Sequence, residues 1–125
     1  MKKDQGLSLY SQHQNALLNS NPIAIKMVKD SAVAIRKDLR KLDAKMHWKK
    51  KDNAMSRLFH EYTSIGRAYI LSCFGLKKAK KFMKKGLSYY SKIRKPKKYD
   101  IGYSGFIADN LSEINSYLKD PKFHY

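Results

Sequence analysis

Cysteine, carboxylates and long apolar runs are all scarce in this chain, and each scarcity excludes something. With Cys73 the sole cysteine among 125 residues, no intramolecular disulfide can form, and a reducing compartment is the expectation. The longest apolar stretch runs from Ala68 to Phe74 and is broken by Ser72, well short of the roughly 20 residues that cross a bilayer. Met1-Lys2-Lys3-Asp4-Gln5-Gly6 leads into no apolar segment, so no secretory signal is expected and the cytoplasm is the expected location. No run of four to eight residues alternates with period two, which argues against any sheet.

Catalytic and metal-binding patterns are missing as well. His13, His47, His60 and His124 sit at no metal-ligand spacing, and no cysteine lies four residues from any of them. They read as surface histidines, and no metal or cofactor is expected. The ten Asp and Glu are scattered, with no pair at helical spacing on an apolar face of the kind acid/base chemistry needs. Gly102-Tyr103-Ser104-Gly105-Phe106 has two glycines but follows no strand, so it is not expected to cradle a phosphate. Cys73, on an apolar stripe near a helix end, reads as an inert buried thiol. The chain is expected to act without catalysis and without a small-molecule substrate.

What is abundant is positive charge. Lys and Arg number 27 against ten acidic residues, a formal net charge of +17. Such a surplus on one small domain favours anionic partners. Lysines make up 22 of the 27, whereas arginine is the residue of choice for bidentate phosphate and guanine contacts. The surplus is therefore either partner-directed charge or compositional drift toward lysine codons.

At this length, with 42% hydrophobic residues, the chain has room for one packed domain. Residues 1–20 read as a polar arm. Asn21-Pro22 then opens a helix, with Asn as N-cap and Pro where its missing N–H costs nothing. Ile25, Val28, Ala32, Ile35, Leu39, Leu42 and Met46 follow at alternating steps of three and four, one stripe of an amphipathic helix. Lys49-Lys50-Lys51-Asp52-Asn53 reads as a polar break in which Asp52 caps the next helix. That helix carries Met55, Leu58, Tyr62, Ile65, Tyr69 and Cys73 and stops at Gly75. A third segment places Leu76, Ala79, Met83, Gly86, Leu87, Tyr90 and Ile93 on one side and ends before Pro96. A fourth begins near Tyr99-Asp100 and carries Ile107, Leu111, Ile114 and Leu118, with residues 99–106 left open by two glycines. Pro121 closes the ordered part. Short connections imply antiparallel neighbours, so the expected fold is all-α, an antiparallel four-helix bundle over 21–120 with an N-terminal arm and a tail at 121–125. Gly66 and Tyr69 followed by Ala79, Met83, Gly86 and Leu87 come near a tetratricopeptide repeat, but the spacing is one residue off and nothing repeats at that period.

Lys77, Lys78, Lys80, Lys81, Lys84 and Lys85 are the densest basic cluster. At 100° per residue they span an arc of roughly 160° opposite the apolar side of the third helix. Lys95, Lys97 and Lys98 extend it. This is either a solvated helix face or a ridge that neutralises phosphates in a salt-dependent, sequence-indifferent way. Tyr89 and Tyr90 stand at its end, while most other tyrosines fall on the apolar stripes.

The arm and first helix resemble the flagellar secretion chaperone FliS family. Gly6-Leu7-Ser8-Leu9-Tyr10-Ser11-Gln12 resembles that family's arm motif, Ser20-Asn21-Pro22 its helix start, and Met27-Val28-Lys29-Asp30-Ser31-Ala32 a stretch of its first helix. The later helices depart from the family, with Arg94-Lys95-Pro96-Lys97-Lys98 in place of its pattern and Trp48 as the only tryptophan. The resemblance implies a cytoplasmic export chaperone that caps the C-terminal region of a flagellin-like client, prevents premature polymerisation and aids secretion. It implies Tyr10, Met27 and Asp30 as client-binding positions. The other expectation, from charge, is a basic helical nucleic-acid binder, of the kind found among accessory proteins of phage and mobile elements.

Overall fold

The computed structural model describes residues 22–43, 45–72 and 76–120. They form four helices and no strand: α1 (Pro22–Lys41), α2 (Trp48–Ser72), α3 (Leu76–Tyr90) and α4 (Lys98–Lys119). The arm with Tyr10, the Asn21 cap, Cys73, Gly75 and the 121–125 tail lie outside the described residues.

Proline stands at the first position of α1, as its fixed φ and absent donor favour. Arg40 and Lys41 occupy the last turn, where cations oppose the negative end of the helix dipole. The chain then turns at Asp43, whose side chain accepts the Lys45 N–H at 2.9 Å. His47 Nδ1 accepts the Lys49 N–H at 3.3 Å, so His47 rather than Asp52 caps α2. The break thus falls at 42–47, and Lys49 to Asn53 are helical. Lysines there keep helix propensity high, and tertiary contacts engage Asp52 elsewhere.

The α2/α3 pair is the tightest seam. A Cβ on Gly66 of α2 would stand 3.0 Å from Ala79 O, and one on Gly86 of α3 would stand 2.9 Å from Phe59 O. As position numbers rise along α2 they fall along α3, so the two helices are antiparallel. The reciprocal glycines let their backbones approach closely. Side chains of α4 meet α2 in increasing order, Asp100 at Ser56, Tyr103 at Thr63 and Arg67 over Phe106, so α4 runs parallel to α2. It also packs against α3, while α1 packs on α2.

This arrangement makes α2 the central helix. Leu58, Phe59, Leu76, Met83, Ile107 and Ile114 are almost wholly buried around it. Fully burying side chains of this size contributes about 1.5–3 kcal/mol each. The stripe of α1 behaves differently: Ile35 is buried, Ile25, Val28, Ala32 and Leu42 are half-covered, and Leu39 is exposed. A helix with one strong neighbour buries one narrow line of its stripe. Gly102 and Gly105 do not interrupt α4, which starts at Lys98 and runs unbroken through both.

Candidate functional site

On α3, Lys77, Lys78, Lys81, Lys84 and Lys85 are exposed, and Lys80 is half-buried. The helix turns this way because Leu76, Ala79, Met83 and Gly86 fill the opposite side, and burying unpaired ammonium groups would be costly. Lys81, Lys84 and Lys85 converge on a groove of about 530 Å³ that they line together with Tyr62, Phe82 and Ser88. It therefore has aromatic walls and three cations at its edge.

The aromatic walls belong to a longer row. Tyr69, Phe82, Tyr62 and Tyr89 come alternately from α2 and α3, with successive ring centroids 5.3, 6.4 and 5.4 Å apart and planes within 24° of each other. The row exists because Tyr62 and Tyr69 are seven residues apart on α2, as are Phe82 and Tyr89 on α3, and seven residues bring a helix back to nearly the same side. Lys78, Lys85 and Lys92 repeat at the same interval. Lys78 Nζ lies 5.7 Å from the Tyr69 ring, and Lys85 and Lys92 lie 5.4 and 4.9 Å from that of Tyr89. Burial first, and then the adjacent Tyr89 phenol, push the Tyr62 hydroxyl above its usual pKa, so it stays neutral. Tyr89 is buried in the core and Tyr69, Phe82 and Tyr62 are half-buried against it. The row thus offers outward the part-exposed rings of those three, edged by ammonium groups that can meet planar, negatively charged matter through stacking and charge at once.

The other sides of α2 carry acidic residues that the linear spacing had scattered. Asp38 of α1 accepts a hydrogen bond from Arg57 Nε at 3.0 Å. Glu61, one turn further along α2, has a buried Oε1 with no hydrogen-bond partner. Burial, and then the Asp38 carboxylate beside it, outweigh Arg57 and push the Glu61 carboxyl up to about 8, so it holds a proton at neutral pH. Asp100 of α4 accepts from Ser56 Oγ at 2.8 Å and lies 3.0 Å from His60 Nε2. Burial alone would raise its pKa, but the bonds from Ser56 and His60, the His60 charge and the Lys97 N–H together hold it below the ordinary value. His60 is accordingly half-buried against Asp100 and not a surface histidine. Asp52 binds the N–H groups of Arg94 and Lys95 at 2.8 and 2.9 Å and ties down the α3–α4 connection.

These acidic contacts join one helix to another or to the α3–α4 connection, which is why spacing along one helix could not reveal them. Among the described residues no three His, Cys, Asp or Glu are grouped to hold a metal ion. Met27 is half-buried and Asp30 exposed on α1, and neither lines the groove. The interleaving of tyrosines with lysines was missed by reading each helix alone. The shared seven-residue interval of Tyr62/Tyr69, Phe82/Tyr89 and Lys78/Lys85 was the signal that could have found it. Comparisons of the chain with protein-family models, with curated proteins and with solved structures find no match.

Proposed function

We propose that this protein is a non-catalytic nucleic-acid binder that uses the basic, aromatic seam of α2 and α3. The observation that carries this reading is the convergence of Lys81, Lys84 and Lys85 on a groove walled by Tyr62 and Phe82. Tyr62 and Phe82 pack against the core and leave part of each ring at the groove, where a site for phosphates and bases can use rings and cations together. Lysine in place of arginine suits the purpose, because point charges neutralise phosphates without the bidentate geometry that reads a particular base. A cytoplasmic setting, with nucleic acid at hand, belongs to the same reading. No described helix is long and apolar enough to cross a membrane.

The test is a titration of labelled oligonucleotide at about 50 and 200 mM salt. Six or more phosphate contacts would cost on the order of 10³-fold in affinity over that interval. Lys81→Glu/Lys84→Glu/Lys85→Glu should abolish binding while the helical signal persists. Equal binding by this variant would refute the reading.

A second reading, the flagellin-type export chaperone, is supported by the half-covered stripe of α1, where Ile25, Val28, Ala32 and Leu39 leave apolar surface for a client helix. Binding of a flagellin-like C-terminal segment would then change little with salt and would respond to Tyr10→Ala. The lysine variant would leave it nearly intact.

A further inference from the structure

Beyond Tyr89, cations gather on a further ring. Trp48 lies fourteen residues before Tyr62 on α2, and two such heptads turn it by only about 40° while separating the two positions by about 21 Å along the axis. Three cations surround the indole: Lys95 Nζ at 5.1 Å, the Arg94 guanidinium at 5.4 Å and Lys49 Nζ at 5.7 Å from the ring centroid. Two of the three are held there through the backbone, because Asp52 accepts the N–H groups of Arg94 and Lys95. Lys92, over Tyr89, lies in sequence between the groove lysines and this cluster. Trp48 itself belongs neither to the buried core nor to the apolar side chains packed against it. A half-buried ring outside the core, with three cations gathered on it, offers a base a face to stack on and its phosphates nearby positive charge.

Resting on the nucleic-acid reading, we propose that the bound molecule is single-stranded and runs along the α2/α3 seam from the groove at Tyr62 and Phe82 to a second contact at Trp48. Successive bases in a single strand expose their faces to aromatic side chains, whereas a duplex keeps them paired and stacked on each other. At about 3.4 Å per stacked nucleotide, the path between the two contacts takes roughly six nucleotides. The flexible lysine heads can leave the indole face to a base and turn toward the phosphates on either side.

Trp48 is the only tryptophan in the chain, so its emission reports on this end of the seam alone. The full-length protein is titrated with oligothymidylates of about 4 and 12 nucleotides, lengths within the range of single-strand site sizes. A duplex of about 12 base pairs and polyglutamate are the controls, and anisotropy of labelled strand is read in parallel. The 12-mer is expected to quench Trp48 and to bind more tightly than the 4-mer, and neither control is expected to quench. Trp48→Leu should weaken the 12-mer by roughly 5- to 100-fold, the usual effect of removing one stacked base contact. Arg94→Glu/Lys95→Glu, both exposed side chains, should weaken it with the indole still present and should reduce quenching, which guards against a folding defect in Trp48→Leu. If the 12-mer binds and the groove variant loses it, but Trp48 emission and the Trp48→Leu affinity do not change, the second contact is refuted and the groove reading stands. Equal quenching by duplex overturns the single-strand assignment, and equal quenching by polyglutamate overturns nucleic acid as the partner. If no nucleic acid binds at all, this inference and the groove reading fall together.

Discussion

Replacing Glu61 with Gln removes one titrating group and leaves the packing between α1 and α2 intact. In the native chain the Glu61 carboxyl, with Oε1 buried and unpaired beside Asp38, is pushed up to about 8. Its value in an unfolded chain is near 4.5. Between those two values the folded protein therefore holds a proton that the unfolded chain releases. Stability that is fully present below about pH 4.5 is lost as pH rises and is gone above about 8. In a dry site the whole shift would correspond to nearly 5 kcal/mol at 1.36 kcal/mol per unit. The site is not dry, since the Arg57 side chain is 50% exposed. Solvent screening leaves on the order of 1–2 kcal/mol. Gln keeps the shape and an N–H donor for Asp38 but does not titrate. Urea unfolding followed by helical circular dichroism, from pH 5 to pH 9, measures the difference. Wild type and Glu61→Gln should be similar at pH 5, and the variant should be more stable by about 1–2 kcal/mol near pH 8.5. Titrating groups remote from Glu61 cancel in this difference. Parallel stability–pH curves for the two proteins would show that Glu61 is ionised in the native state, and the argument would fail.

The glycines divide into two classes. Gly86→Ala puts a Cβ 2.5 Å from Thr63 Cγ2 and 2.9 Å from Phe59 O, so thermal unfolding should show a loss of about 1–3 kcal/mol in spite of better helix propensity. Gly102→Ala and Gly105→Ala meet nothing within 4 Å and should each gain about 0.5–1 kcal/mol in the same assay. On α1, Ile35→Ala should cost about 2–5 kcal/mol, since the side chain is only 6% exposed. Leu39→Ala, at 39% exposure, should cost under about 1 kcal/mol, and denaturant midpoints compare the two. Lys97 is the N-cap of α4 and makes no side-chain cap bond, while Asp100, three residues on, already binds its N–H. Lys97→Ser completes that reciprocal pair and should stabilise the fold by about 1 kcal/mol; no change in melting temperature would mean the α4 end is frayed.

Much of the fold was legible in the sequence because helix periodicity is a local property. The helical spacing of Met55, Leu58 and Ile65 (steps of three and seven), or of Leu76, Ala79 and Met83 (steps of three and four), needs no knowledge of the rest of the chain, and those residues are buried. The outward arc of lysines on α3 follows from the same arithmetic, since charges go where the apolar side is not. The first linker was misplaced because a lysine-rich segment looks like a break and is also a good helix former. Local sequence does not choose between the two. Periodicity says which side of a helix is apolar but not how much of it a neighbour covers, so Ile35 and Leu39 looked alike until α1 was seen to pack on α2. Contacts between helices depend on register, and the close approach at Gly66 and Gly86 sets the register of α2 against α3. That register decides that Phe82 falls between Tyr69 and Tyr62 and that lysines of α3 edge a groove walled by Tyr62, while the packing of α1 on α2 decides that Glu61 meets Asp38. Each of these pairings joins side chains of two helices, and a pattern within one helix shows at most which of its residues share a side, not which residues of the other helix they meet.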